Sequence, residues 1–539
     1  MTYAPDKEPQ VPSERDLGKE YEALLPDREP FLKRARECAL VTLPYIMPPS
    51  GHNGSSDLPT PSQSIGAQGV NNLANLLLES LFPPQVPFFR FQIDDQTLTE
   101  LSEGDPEARS KIEDILASFE RAIKLRVDRG FPRASALTAF KQLIVSGNTF
   151  VTLREDNTIR AYRLDQYVSR RDGSGNLLKV ITREEVDPKT LPKGIREQLE
   201  AQKRDESTQP GEAALKSKDV VLYSCWEREG NRMKFYQQVA GVDVEGSEGD
   251  WPLDKAPCLA LRWSWQDGED YGRSYCEEFL GDLEAADGLS RAIREATAAA
   301  SRVIIMIAPN GQTNADHVAN ARNLDIISGR ADDVTMLQLQ KQADLQVAQR
   351  VLGDITQRLS QMFVMHLGVR RDAERVTAEE TRMVIRALEG SLGGTYALLA
   401  LELQLPLVRI FQSKAEKAGE LPTLPTPNKG DPGVQPQITT GVEALGRGED
   451  YGRYSQFVES LLQTLGPEVA LKYINAPDLI KRMGASLNID MKGLIKTPEQ
   501  IQAEEQQALE AQQAMMMQQG MMDAGKAAAP QLAKAATEG

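Results

Sequence analysis

Residues 343–367 read ADLQVAQRVLGDITQRLSQMFVMHL. Leu345, Ala348, Leu352, Ile355, Leu359, Met362 and His366 recur at steps of three and four. That period predicts a helix over 343–367, packed along one seam for its whole length. His366 closes the seam and reads as a packing residue rather than a ligand. A second face carries Gln346, Gln349, Gly353, Thr356 and Ser360, all polar or neutral and none charged. Solvated helix faces ordinarily use Lys and Glu, so this face asks for an explanation. Chance on a partly covered face is the plain one.

Directly after this helix comes a basic knot, Arg370, Arg371 and Arg375, in a chain whose formal net charge is −16. Thr377-x-x-Glu380 is a capping box that predicts the next helix. This helix continues through Val384, Leu388, Leu392, Tyr396 and Leu399 to about Ala418, weakened at Gly393-Gly394 and kinked by Pro406. ELPTLPTPNKGDPGVQP then reads as a proline-rich connector. Shorter helices follow, and the end is rich in Gln, Met and Ala, low in complexity.

Upstream, another helix is predicted over 273–301. Phe279, Leu283, Ala286, Ile293, Ala296 and Ala300 form its stripe, with acids early and arginines late, as the helix dipole prefers. Glu277, Glu278 and Asp282 have two readings, a solvated acidic first turn or a magnesium site. Between the two helices, VIIMIAPNG reads as a strand running into a turn at Asn310-Gly311, and MLQLQ as a second strand. From Leu143 to Gln266 the period changes to two, in six strand-like runs separated by Asn, Asp and Gly turns. The first 140 residues are helical with proline punctuation. The fold class is therefore α+β, mainly helical.

Composition excludes several functions. At 40% hydrophobic residues the chain can bury a real core. Its acidic balance argues against coating DNA non-specifically. Four scattered cysteines without metal spacing read as small buried hydrophobes of a reducing compartment. No secretory signal and no apolar run near membrane-spanning length is read, so no membrane insertion is expected. Phosphate-loop, zinc-protease and serine-hydrolase motifs are missing, and neither a catalytic centre, a metal nor a cofactor is expected.

The order of parts also resembles a known family. The residues that carry this are SIGAQGVNNLANLLLESLFP, YRLDQYVSRRDGSGNLLKVITREE, EDYGRSYCEEFLGDL, QLQKQADLQVAQ, ERVTAEETR, LGGTYALLALELQLPLVR and ITTGVEALGRGED. Together they run from Ser64 to Asp450 and resemble the portal proteins (head-to-tail connectors) of short-tailed, podovirus-type bacteriophages. The resemblance implies a ring, typically a homododecamer, at one capsid vertex, through which double-stranded DNA is packaged and ejected. It implies a wing (1–272), a first stem helix (273–301), a clip (302–342) and a second stem helix (343–367). A channel loop (368–376), a long kinked wing helix (377–418), the connector (419–437), a helical crown (438–500) and a low-complexity tail (501–539) would follow.

Under that resemblance Arg370, Arg371 and Arg375 would line a channel constriction and meet phosphates, or pair with acids of neighbouring subunits. The neutral face of Gln346, Gln349, Gly353, Thr356 and Ser360 would line the channel without gripping DNA. Asn310 and Gly311 would lie in the clip, facing the terminase motor and then tail adaptor proteins. Capsid, scaffolding and internal core proteins would be further partners. The protein would be made in the host cytoplasm and end in the virion. Two rivals stand beside this: a metal-dependent nuclease built on the acids near Glu277, and a smaller tail adaptor.

Overall fold

The structure is a computed structural model. It describes residues 15–83 apart from 53 and 55, 88–93, 98–99, 102, 106–130, 133–192 apart from 155 and 157, 195–196, 220–300, 304–337, 342–365, 390, 392–421, 435–438 and 454–466, with a few positions between 469 and 484. Contacts divide the chain into two units, residues 1–444 and 445–539.

The first unit is mixed helix and sheet. Helix α1 (Leu17–Leu40) starts where the Asp16 side chain accepts from the Lys19 amide. Its apolar residues Leu17, Tyr21 and Leu24 cover Val168, Ile181 and Cys225 of a sheet. Helix α2 (Ile65–Leu81) is buried on most sides, as its run of leucines requires. Then come β1 (Phe89–Gln92), α3 (Pro106–Gly130) and α4 (Arg133–Ser146).

The period-two region forms strands β2 (Asn148–Leu153), β3 (Ile159–Tyr162), β4 (Tyr167–Arg171), β5 (Leu177–Val186), β6 (Val220–Glu229), β7 (Arg232–Val239), β8 (Val242–Asp243), β9 (Gly249–Pro252) and β10 (Cys258–Arg262). All pair antiparallel in two sheets: β10-β2-β3, and β4-β5-β6-β7-β8 with β9 also on β7. The β4–β5 turn is DGSGN: the Asp172 carboxylate accepts from the Ser174 and Asn176 amides, and Gly175 takes φ 80°, which favours glycine. Lys179 of β5 bridges Glu20 of α1 at 2.8 Å and Glu227 of β6 at 2.7 Å, tying helix to sheet.

The short α5 (Tyr275–Glu278) is capped by the Ser274 hydroxyl, which accepts from the Glu277 amide. The chain breaks helical geometry at Phe279 and resumes as α6 (Leu280–Ala300), so the stretch expected as one helix over 273–301 is two. After β11 (Ile304–Ile307), α7 (Ala315–Asn320) and β12 (Val334–Leu337) comes α8 (Gln342–Met362). Helix α9 (Leu392–Lys417) contains a π-turn at Ala400–Gln404 and ends at Gly419, φ 67°. Strand β13 (Gln435–Ile438) returns to pair antiparallel with β1, so the end of the expected connector is tied to the N-terminal half. By length and composition α9 is apolar enough to cross a membrane, which the sequence reading did not foresee. Here its Leu399, Leu407, Val408, Ile410 and Phe411 are buried in the main core.

All four cysteines are free and buried, and burial pushes the Cys38 and Cys225 thiols up to about 12. In the second unit a helix covers 454–465 and stops at Gly466, φ 76°, whose amide donates to Leu462.

Candidate functional site

Antiparallel α6 and α8 pack together, and what they carry follows from where their apolar residues end. Leu283 and Ala286 of α6 and Ile355 and Leu359 of α8 are buried at one end of the pair. Toward the other end both helices open to solvent: Ala300 of α6 and Val347 and Val351 of α8 are exposed. Asp282 and Arg358 bridge the two helices at 2.9 Å.

The expected seam holds at Ile355 and Leu359 and then changes. Met362 is exposed and Phe363 is fully buried in its place. The helix also stops at Met362, five residues short of the expected Leu367. Three hydrogen bonds from two side chains explain the stop. Asn72 Nδ2 donates to the Phe363 and Val364 carbonyls at 3.1 and 3.2 Å, and the Tyr275 hydroxyl donates to the Met362 carbonyl at 2.8 Å. Carbonyls that another turn of helix would have used are thereby satisfied from outside. Val364 has φ 54°, which turns the chain away. The Phe363 ring lies over Gly69 of α2 and edge-on to Tyr275, 6.0 Å between centroids. Phe363 reaches Gly69 because that residue has no Cβ.

The chain leading to the arginine knot therefore departs from a clamped point. Arg370, Arg371 and Arg375, with His366 and the Thr377 capping box, lie outside the described residues. Gln346, Gln349 and Gly353 are exposed on α8, and Thr356 and Ser360 are half-buried. From Gln346 to Ser360 the face spans about 21 Å, at 1.5 Å per residue.

Each acid of the suspected magnesium site has a basic partner or a neighbour. Glu277 bridges Arg34 at 3.3 Å and Arg273 at 3.2 Å, and Asp282 bridges Arg358. Burial, then the neighbouring Glu277 charge, raises the Glu278 carboxyl above its usual range. Among the described residues no group of three or more metal-binding side chains comes together.

Between α6 and α8, β11 and β12 pair antiparallel from Ile304↔Leu337 to Ile307↔Val334. Asn310 and Gly311 form a turn, with the Gly311 amide donating to the Ala308 carbonyl at 3.0 Å. The two strands are not joined by a tight hairpin, since residues 308–333 intervene. Neither Asn310 nor Gly311 takes the positive φ that a hairpin turn would ask of this pair. Glycine is required there for another reason. A Cβ on Gly311 would meet Asp333 Cγ at 2.7 Å. Asp333 Oδ2 accepts from the Gln312 amide (2.8 Å), the Thr313 amide (3.2 Å) and the Thr313 hydroxyl (3.1 Å). Around this pinned loop Ile305, Met306, Leu324 and Ile326 are exposed.

Sequence reasoning missed Asn72 and Asp333. A polar side chain in an apolar helix and the second of two Asp residues before a strand are weak local signals, because both act on distant backbone. It also missed a buried ion cluster of Arg171, Arg262 and Glu402. Glu402 stands alone among leucines in ALLALELQLPLVR, and a lone acid in an apolar run should have prompted a search for its counter-charge.

The family model described as bacteriophage head to tail connecting protein matches residues 14–495. The portal protein of Escherichia phage T7 is 37% identical over 487 residues, 89% of this chain and 88% of that protein. The portal protein of Enterobacteria phage T3 is 36% identical over 491 residues, 90% of this chain and 88% of that protein. A solved neck of a native gene transfer agent particle, computed with C12 symmetry, covers 68% of this chain and 91% of its own, at 12% identity and TM-score 0.31. That likeness is too weak to carry its symmetry over. The family match and the two viral relatives span almost the whole chain, and on that ground this chain belongs to the bacteriophage head to tail connecting protein family.

Proposed function

We infer that this chain is the repeating subunit of a portal ring at one vertex of a short-tailed phage capsid. The observation that carries it is the match to a portal protein over most of the chain, 37% identical over 89% of it. The ring forms the channel for double-stranded DNA, with the capsid around it, the terminase motor docked on it during packaging and the tail afterwards. Internal core proteins would meet its inner end.

Physical chemistry supports this reading at several points. A ring needs a heterologous interface, one patch meeting a different patch of the neighbour. The exposed apolar residues Val347 and Val351 of α8 and the alanine-rich end of α6 suit such a surface. A lining of Gln346, Gln349, Gly353, Thr356 and Ser360 would keep DNA loose, since duplex carries a charge every ~1.7 Å and basic walls would stall it. Arg370, Arg371 and Arg375 would supply a narrow basic belt, repeated by symmetry. The segment between α6 and α8 would be the clip, a docking surface and not a site of chemistry.

Electron microscopy of the purified full chain tests the reading. Rings with a central hole are expected. A protein that stays monomeric at all concentrations and salts, or that cuts plasmid DNA with magnesium, would overturn it.

A further inference from the structure

Helix α9 is joined to two sheets by a buried charge cluster at its irregular turn. The Leu405 amide donates to the Ala400 carbonyl, five residues back, which makes the turn π. Pro406 follows, with no amide to give to the Glu402 carbonyl. The buried positions account for this extra residue. Leu399, Leu403, Leu407, Phe411 and Ala415 are all buried and four apart. In a regular helix four such steps drift about 160° around the axis, and one inserted residue takes back about 100°.

The turn presents Glu402 to two arginines. One carboxylate oxygen accepts from the Arg262 amide at 2.9 Å, and the other from Arg262 Nε at 3.0 Å and from its Nη2. Arg171 Nη1 lies 3.9 Å from the same carboxylate. Arg262 belongs to β10 of one sheet and Arg171 to β4 of the other, and their side chains are 5% and 6% exposed. Arg171 also donates to the carbonyls of Gly175, Ala260 and Asp270. Two sheets and one helix therefore meet on a single carboxylate. Arg262 Nη1 and Gln404 Oε1 are buried without a partner among the described residues, so the turn holds polar groups that this arrangement leaves unused.

The two halves of α9 differ. After the turn, Leu407, Val408, Ile410, Phe411 and Ala415 are essentially inaccessible. Before it, Leu392, Tyr396 and Leu399 are buried too, but Gly393, Gly394 and Ala397 are exposed, and the two adjacent glycines weaken this half of the helix alone.

We propose that Glu402 is the latch of a joint in α9: bridged to Arg262 and Arg171 it holds the π-turn, and released it frees 392–399 to shift register while 405–417 stays seated. Local opening confined to one half of a helix is the signature of such a joint. The proposal stands on these contacts and not on the ring reading, which microscopy tests separately.

Hydrogen exchange by mass spectrometry on the full chain, wild type against Glu402→Gln, is the test. Peptides covering 392–404 should exchange about ten- to hundredfold faster, the range that loss of one charge-assisted hydrogen bond gives. Peptides covering 407–417 should be unchanged. If Glu402→Gln does not fold, Arg171→Lys decides, with a smaller rise in the same peptides. No change, or a rise spread evenly over both halves, overturns the proposal.

Discussion

Replacing Gly69 by Ala should have unequal effects in two backgrounds, and the geometry of Phe363 sets both. In the wild type an added methyl would lie 2.9 Å from Phe363 Cβ and closer still to its ring. Forcing atoms into a packed core costs about 1–3 kcal/mol. Against this, Ala in place of Gly inside a helix returns about 0.5–1 kcal/mol. The net expectation is a loss of about 0.5–2 kcal/mol. Phe363→Ala alone should cost about 3–5 kcal/mol, because the ring is fully buried and leaves a cavity. In that background the ring is gone and the Gly69 methyl meets only the Cβ that the Phe363→Ala variant keeps, at 2.9 Å, so the helix gain of about 0.5–1 kcal/mol should roughly offset the remaining contact and the second change should be close to neutral. The coupling is then about 0.5–2 kcal/mol, in the range of residues in direct contact. Urea unfolding followed by tryptophan fluorescence measures it, since the buried Trp263 ring is 5.2 Å from Tyr275, which touches Phe363. An effect of the same size in both backgrounds would refute the claim that Phe363 seats on Gly69 and clamps the end of α8.

Changing Arg370, Arg371 and Arg375 together to Gln should leave assembly intact and lower DNA retention in filled heads, measured as genome loss on standing; normal retention at low and high salt would favour pairing with acids instead. Asp333→Ala removes an acceptor from three donors and should weaken the 308–333 loop by about 1–3 kcal/mol, read as faster proteolysis there while rings persist and tail attachment falls. The join between α1 and its sheet should fail in acid. Burial pushes the Glu227 carboxyl up, but hydrogen bonds and charge from Lys179, with a hydrogen bond from Tyr236 and the Arg15 charge, outweigh it, so it sits below its usual value of 4.5. A lowered folded-state value gives stability that is present above 4.5 and lost as pH falls through the folded value. Glu227→Gln should flatten stability against pH in that window; an unchanged slope would show that other carboxylates set it.

How much the sequence disclosed depended on whether the cause was local. The strands followed from alternation and turn residues, and DGSGN from an Asp that bonds its own neighbours. The helix over 343–367 was legible as a seam, but its end was not. Seam arithmetic predicts Met362 inward, whereas Asn72 and Tyr275, far away in sequence, stop the helix there and turn Phe363 inward instead. Gly311 was marked correctly as special for the wrong reason: a carboxylate twenty-two residues on occupies the space of its side chain, and φ has no part in it. Pro406 announced an irregularity in α9, and the four-residue spacing of Leu399, Leu403, Leu407 and Phe411 already required one extra residue in a turn. Those two signals point to the same place because they have one cause. A helix that must keep one face buried while losing an amide can do so by widening a turn, and the widened turn then presents Glu402, an acid no apolar helix would otherwise tolerate, to the two arginines that need it.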